Sequence, residues 1–255
     1  MDFNKYLAKF NIEKVEHTEE FLKTLQHNHV TTIPYENLDL VNQKLLVLTP
    51  EAVYDKIIIG KRGGYCFEVN CLLSAFLKAN GFKVRDFLGR FLKGEEGIPI
   101  RRHRIMEVEL DGKKYIMDVG MGQAAPKYPL ILEENLVQEQ FGESYKFVIE
   151  DGLGWVLYSL NKGEWSKLYC FTEELQYEID FELPSFYCER HPSSKFNKTP
   201  MVALKTENGR KTVNDHDFKI FDKGELVHIE ENMTDERLYE VLLKEFNIDW
   251  RRNNA

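Results

Sequence analysis

The chain lacks several features that would decide its class at once. No apolar run approaches the roughly 20 residues a membrane-spanning helix needs, so no membrane partner is expected. The opening MDFNKYLAKF has no apolar stretch of signal-peptide length, which leads us to expect a cytoplasmic protein. Basic residues do not dominate: 34 Lys and Arg stand against 42 Asp and Glu, and the net charge of −8 makes nucleic acid an unexpected partner. The four cysteines, Cys66, Cys71, Cys170 and Cys188, form no CxxC pair and no short His/Cys ligand set, so neither a structural metal nor a disulfide framework is expected. Internal repeats and low-complexity tracts are missing too. What is present is core material. Hydrophobic residues make up 43% of the 255, with 17 Phe and 12 Tyr, enough for a large domain or a few small ones.

The first third reads as helical. Thr18 precedes Glu19, Glu20 and the apolar set Phe21, Leu22 and Leu25, an N-cap with an acidic first turn. Thr49-Pro50-Glu51 opens another helix, with proline at its first position. A third begins near Cys66, carries Val69, Leu72, Leu73, Phe76 and Leu77 at helical spacing, and ends before Gly81. After Gly81 the runs FKVRDFLGRFL, HRIMEVEL, KYIMDVG, YKFVIE, WVLYSL and KLYCF are short, aromatic and β-branched, and they read as antiparallel strands. An irregular stretch from Leu183 to Pro200 links them to a last group of strands and to a helix opened by Thr234. Helices, then strands, then a small mixed end predict an α+β fold.

The stretch RGGYCFEVN, Arg62 to Asn70, puts a cysteine behind two glycines and at a helix start. The glycines allow a sharp turn and a close approach. At a helix N-terminus the dipole and free N–H groups favour an anion, so Cys66 is expected to be a reactive thiol of lowered pKa. The alternative is a small buried core residue. A thiolate nucleophile usually works with a histidine and a third group that orients it. In RHRIMEVEL-DG-KKYIMDVG, Asp111-Gly112 is a hairpin turn signal. A two-residue loop sets Leu110 opposite Lys113 and Ile105 opposite Asp118. His103 and Asp118 then share a face, one diagonal step apart. A four-residue loop keeps them on one face but farther apart. A pair of solvated polar residues is the competing reading, since Glu107 and Glu109 share that face.

These residues resemble a known family, the bacterial arylamine N-acetyltransferases. Arg62 to Asn70 fits its RGGxCxExN motif, and Ile33-Pro34-Tyr35-Glu36-Asn37-Leu38 resembles its V/I-P-F-E-N-L segment. Arg102-His103-Arg104 and Asp118-Val119-Gly120-Met121-Gly122 resemble its histidine and D-V/A-G-F-G strands, and His191 to Phe196 resembles its H-P-x-S-x-F segment. The resemblance implies an N-terminal helical bundle (1–85), an antiparallel β-barrel (86–190) and a C-terminal α/β lid (191–255), with a cysteine-protease-like core. It implies Cys66, His103 and Asp118 as catalytic triad. Tyr35, Tyr65, Arg102 and Met121 are then expected at the substrate, and Gly120, Gly122 and Ser194 at the cofactor. The implied reaction is ping-pong acetyl transfer from acetyl-CoA, without a metal, through acetyl-Cys66 to an aromatic amine, arylhydroxylamine or hydrazine, as in xenobiotic metabolism. Tyr35, Met121 and Ser185 depart from the residues usual there. A transglutaminase-like or papain-like thiol hydrolase is the alternative with the same Cys-His-Asp order.

Overall fold

The computed structural model describes residues 1–251. Its N-terminal third contains helices α1 (Phe3–Ala8), α2 (Glu19–Thr32), α3 (Leu38–Val41), α4 (Pro50–Tyr54) and α5 (Cys66–Ala79), with a two-residue strand β1 (Tyr35–Glu36) after α2. The predicted caps are in place. Thr18 Oγ1 accepts from Phe21 N at 3.1 Å, and Thr49 Oγ1 accepts from Ala52 N at 3.4 Å. After Tyr54 the helix widens into a π-helical turn, Asp55–Ile59. The wider turn directs Lys56 inward, where it is largely buried among carboxylates.

The middle of the chain forms β2 (Lys83–Phe91), β3 (His103–Leu110), β4 (Lys113–Met117), β5 (Leu130–Ile131), β6 (Gln138–Gln140), β7 (Glu143–Glu150), β8 (Gly154–Asn161) and β9 (Glu164–Phe171). Their order is β5-β4-β3-β2-β9-β8-β7-β6, antiparallel throughout, and the sheet curls into a nearly closed barrel. The seam between β5 and β6 is bridged by side chains. The Gln138 amide pairs with the Ile131 main chain at 2.7 and 2.9 Å, and the Gln140 amide with that of Tyr128 at 2.6 and 3.2 Å. These amides satisfy edge N–H and C=O groups that a further strand would otherwise meet.

The β3–β4 hairpin has the two-residue loop. Leu110 pairs with Lys113 and Met106 with Met117, while Asp111 and Gly112 both adopt positive φ, 51° and 75°. One expectation fails. Leu183 to Pro200 is not irregular throughout, because helix α6 (Glu182–Arg190) occupies its first half. Pro184 sits in the first turn, where its missing N–H would have had no helical partner, and so it does not break the helix.

The chain ends in β10 (Met201–Lys205), β11 (Gly209–Asn214), β12 (Asp217–Asp222), β13 (Glu225–Glu230) and α7 (Asp235–Phe246). β10 to β13 form an antiparallel sheet whose first strand is β1, paired through Tyr35↔Ala203 and Glu36↔Val202. The main core runs from the helices into the barrel. A second lies between this sheet and α7, and a small third cluster surrounds Cys66, Tyr65, Phe67 and Cys188. The expected α+β class, with helices, antiparallel barrel and α/β C-terminal part, is the observed one.

Candidate active site

Cys66 is the first residue of α5, directly after the N-cap Tyr65. The glycines before it serve close packing. A Cβ on Gly63 would lie 2.1 Å from Pro34 O, and one on Gly64 2.8 Å from Glu68 Cβ. Neither has positive φ, so the expected sharp turn and ligand approach give way to contact with the chain's own segment around Pro34 and with Glu68.

The loop is fixed by buried charge. Glu68 Oε2 accepts from Tyr65 N at 3.1 Å, and Lys56 Nζ lies 2.7 Å from Glu68 Oε1 and 3.0 Å from Asp39 Oδ2. Arg62 grips Glu36 Oε1 through Nε at 3.1 Å and Nη2 at 2.8 Å. Burial opposes the Lys56 charge, but Glu36, Glu68 and Asp39 outweigh it and hold the amine above its ordinary value. Burial likewise works against the Asp39 charge, yet Lys56 and Arg62 bring its carboxyl down to about 2.

His103 opens β3, and Asp118 follows β4 directly. His103 Nε2 and Asp118 Oδ2 lie 2.6 Å apart, both buried, as the hairpin register predicts. Asp118 Oδ1 accepts from Gly120 N at 2.8 Å and from Asn70 Nδ2 at 2.9 Å. Asn70 also donates to Arg104 O at 2.6 Å and accepts from Val119 N at 3.0 Å. It therefore clamps the carboxylate to α5, the helix that Cys66 opens. Sequence reasoning places Asn70 within the cysteine motif but assigns it no task. The usable signal is its spacing of four from Cys66, which puts both on one helix face.

A cleft of about 540 Å³ opens between α5, the barrel and the C-terminal sheet. Cys66, His103, Tyr35, Arg102, Met121, Gly120 and Gly122 all line it, along with Phe91 and Phe196. Two expected contacts do not reach it. Tyr65 is fully buried with its hydroxyl 2.5 Å from Ser185 Oγ, and Ser194 is buried with its hydroxyl donating to Cys188 O at 2.7 Å. Both hydroxyls are held by neighbours inside the protein. Gly120 lines the cleft for a reason of packing: a Cβ there would lie 2.6 Å from Cys66 Cα. A Cβ at Gly122 would lie 3.2 Å from the Tyr35 ring.

The expected lowering of the Cys66 pKa is also reversed. Burial pushes the thiol well above its ordinary value, negative charge at Cys188 and Asp118 acts in the same direction, and backbone groups of Arg104 and Phe67 act the other way. A proton acceptor or a cation close by favours the thiolate form of a buried thiol, and His103 lines the same cleft as Cys66.

A family model described as N-acetyltransferase matches residues 18–255. The arylamine N-acetyltransferase of Mycobacterium tuberculosis is 34% identical over 232 residues, spanning 88% of this chain and 81% of that protein. The solved arylamine N-acetyltransferase from Salmonella typhimurium superposes with a TM-score of 0.92 at 28% identity, covering 98% of this chain and 92% of that one. The Mycobacterium marinum arylamine N-acetyltransferase in complex with CoA does so with 0.91 at 29% identity, covering 97% and 93%. The chain belongs to the arylamine N-acetyltransferase family.

Proposed function

We propose, from that membership, that this acyltransferase acetylates arylamines, arylhydroxylamines or hydrazines with acetyl-CoA as donor, by a ping-pong route through acetyl-Cys66. The observation that carries the reading is that Cys66 and His103 line one cleft while Asp118 holds His103 Nε2 at 2.6 Å. With Nε2 engaged, Nδ1 is the ring nitrogen left to act as base.

His103 Nδ1 takes the thiol proton as Cys66 Sγ attacks the thioester carbonyl, and Asp118 stabilises the resulting imidazolium. Burial raises the Cys66 thiol pKa, and transfer of its proton to His103 during attack offsets that effect. Collapse of the tetrahedral adduct expels coenzyme A, which leaves as a thiol after recovering the proton from His103. Thioester-for-thioester exchange is nearly balanced, so acetyl-Cys66 persists until an amine enters. The amine attacks the acyl carbon, His103 takes its proton, and Cys66 leaves as thiol. Tyr35, Phe91, Met121 and Phe196 give the cleft an aromatic and apolar lining that suits an aryl ring.

Intact-mass measurement tests this. Mixing with acetyl-CoA and no acceptor should add one acetyl group, mapped to Cys66, and an arylamine should remove it as N-acetyl product. Rapid release of acetate without amine would instead indicate a thiol hydrolase. Coenzyme A binding with no acetylated Cys66, together with ternary-complex kinetics, would refute the covalent route.

A further inference from the structure

Charge does not balance at the rim of the cleft. Lys93, Arg102, Lys195 and Lys219 line it beside one carboxylate, Glu95. Glu95 Oε1 accepts from Arg102 Nη2 at 2.9 Å and lies 3.4 Å from Lys195 Nζ. The Lys93 amine has no ion-pair or hydrogen-bond partner among the described residues.

Arg102 is the unusual member. It is only 8% exposed, its guanidinium lies 5.5 Å from the Phe196 ring centroid, and its Nε–H has no partner among the described residues. A guanidinium presents Nε and Nη2 on one edge, shaped for the two oxygens of a carboxylate or phosphate. Arg62 uses that edge fully, with both atoms on Glu36. Arg102 uses half of it. A buried donor left unmade is costly, so the vacant position favours a second acceptor oxygen. The neighbouring backbone is at the reacting centre, with Arg102 O 3.8 Å from Cys66 Sγ.

Glu95 is placed to withdraw. It lies in the β2–β3 loop between Gly94 and Gly97, both at positive φ and with nothing packed within 4 Å of where a side chain would start. Ile98 in the same loop is 72% exposed, so moving the loop gives up little buried surface.

We propose that Arg102 is the anion receptor of the cleft, and that a carboxylate or phosphate on a ligand displaces Glu95 and takes both donors of its Nε–Nη2 edge. The proposal rests on reading the cleft as the acyl-transfer site. Two ligands of that reaction could bring the anion: an arylamine bearing a ring carboxylate, or the phosphates of the acyl donor. Arg102 and Cys66 line the same cleft, so either ligand can meet both.

The test uses Arg102→Gln, Arg102→Lys and Glu95→Gln. One arm takes the ratio of kcat/KM for 4-aminobenzoate to that for its neutral ethyl ester. The other takes the ratio of Cys66 acetylation rates from acetyl-CoA and from p-nitrophenyl acetate, which carries no phosphate. Arg102→Gln should lower one ratio by about 10–100-fold, the scale of a charge-assisted hydrogen-bonded pair. Arg102→Lys should restore part of it, and Glu95→Gln, by removing the competing carboxylate, should raise the same ratio several-fold. Movement of the first ratio identifies the acceptor carboxylate, and movement of the second the donor phosphates. A merely structural Arg102 would not give opposite signs in the two positions. If neither ratio changes by more than about twofold in either Gln variant, the proposal is wrong. Calorimetric affinities for 4-aminobenzoate against its ester, and for coenzyme A against pantetheine, read the same ratios even if Cys66 proves never to be acetylated, so the two readings can fail separately.

Discussion

Asn70 offers the sharpest perturbation, because one small side chain joins three separate groups. Replacing it with alanine leaves the Arg104 carbonyl and the Val119 N–H without the partners they have at 2.6 and 3.0 Å, in a fully buried position. Each orphaned buried group costs about 1–3 kcal/mol, so Asn70→Ala should lose about 2–5 kcal/mol once some relaxation is allowed. Asp118 keeps the Gly120 amide but loses the 2.9 Å bond that ties it to α5, so Cys66 acetylation should slow by more than the stability loss explains. Asn70→Asp separates the two effects. It keeps an acceptor for Val119 N–H and sets a second carboxylate beside Asp118. The two cannot both ionise cheaply, so one should hold a proton at a raised pKa. The introduced carboxyl, when protonated, can still donate to Asp118, as the amide did. The unfolded chain releases that proton near pH 4, so the stability it gives is present at low pH and is lost as pH rises through the folded value. Urea unfolding at pH 5.5 and 8, with single-turnover acetylation at both, reads this. Asn70→Ala costing under about 1 kcal/mol, or Asn70→Asp indifferent to pH against the parent protein, would refute the clamp.

Three further outcomes follow from the charges. Lys56→Met removes the amine that lies 2.7 Å from Glu68, 3.0 Å from Asp39 and 3.8 Å from Glu36, leaving Glu68 without a cation while Arg62 still holds the other two, and should cost about 3 kcal/mol in urea unfolding, with Lys56→Arg recovering over half. His29 is fully buried, and burial, with a minor push from Lys9, lowers its pKa to about 3. Below the ordinary value near 6.5 the unfolded chain takes a proton the folded one refuses. Stability should therefore fall by about 2 kcal/mol between pH 7 and 5, and His29→Gln should flatten that slope. Because burial raises the Cys66 thiol, His103→Ala should slow its alkylation by iodoacetamide at pH 7 about tenfold or more, with the rate still climbing beyond pH 9. An unchanged rate at pH 7 would mean that the imidazole does not activate the sulfur.

The sequence is most informative where local geometry and function coincide. A two-residue Asp-Gly loop has one register, and that register brings His103 to Asp118, so the pair is legible without any fold in view. Cys66 is legible because the two glycines before it and the apolar period after it mark the start of α5. Burial is not legible. Whether Cys66 is a free thiolate or a desolvated thiol depends on the packing around it, and Cys188 reaches that cluster from α6, far along the chain. Tyr65 and Ser194 are expected at ligands on motif membership, yet each spends its hydroxyl inside the protein. Helix α6 escapes a sequence reading because Pro184 looks like a breaker unless the helix start is known.

The task of the segment Ile33 to Leu38 lies in tertiary structure alone. Tyr35 and Glu36 are the edge strand of the C-terminal sheet, and Tyr35 also bridges to Gly64 beside the nucleophile. Asn37 donates to Phe196 O and Thr199 O at 2.7 and 2.9 Å and accepts from Met201 N at 2.7 Å, stapling the approach to β10. One turn of α3 then divides its side chains. Leu38 and Val41 enter the core between the sheet and α7, while Leu40 joins the cluster around Cys66. Each wall of the cleft is thus fastened to the same few residues, and the walls cannot part without exposing Leu38, Leu40 and Val41 and breaking buried hydrogen bonds at Asn37. Cys66 packs directly against the Asp118–Gly120 segment, where a single added Cβ would meet Cys66 Cα at 2.6 Å. That contact leaves no room for a side chain at Gly120 unless Cys66 or its helix shifts.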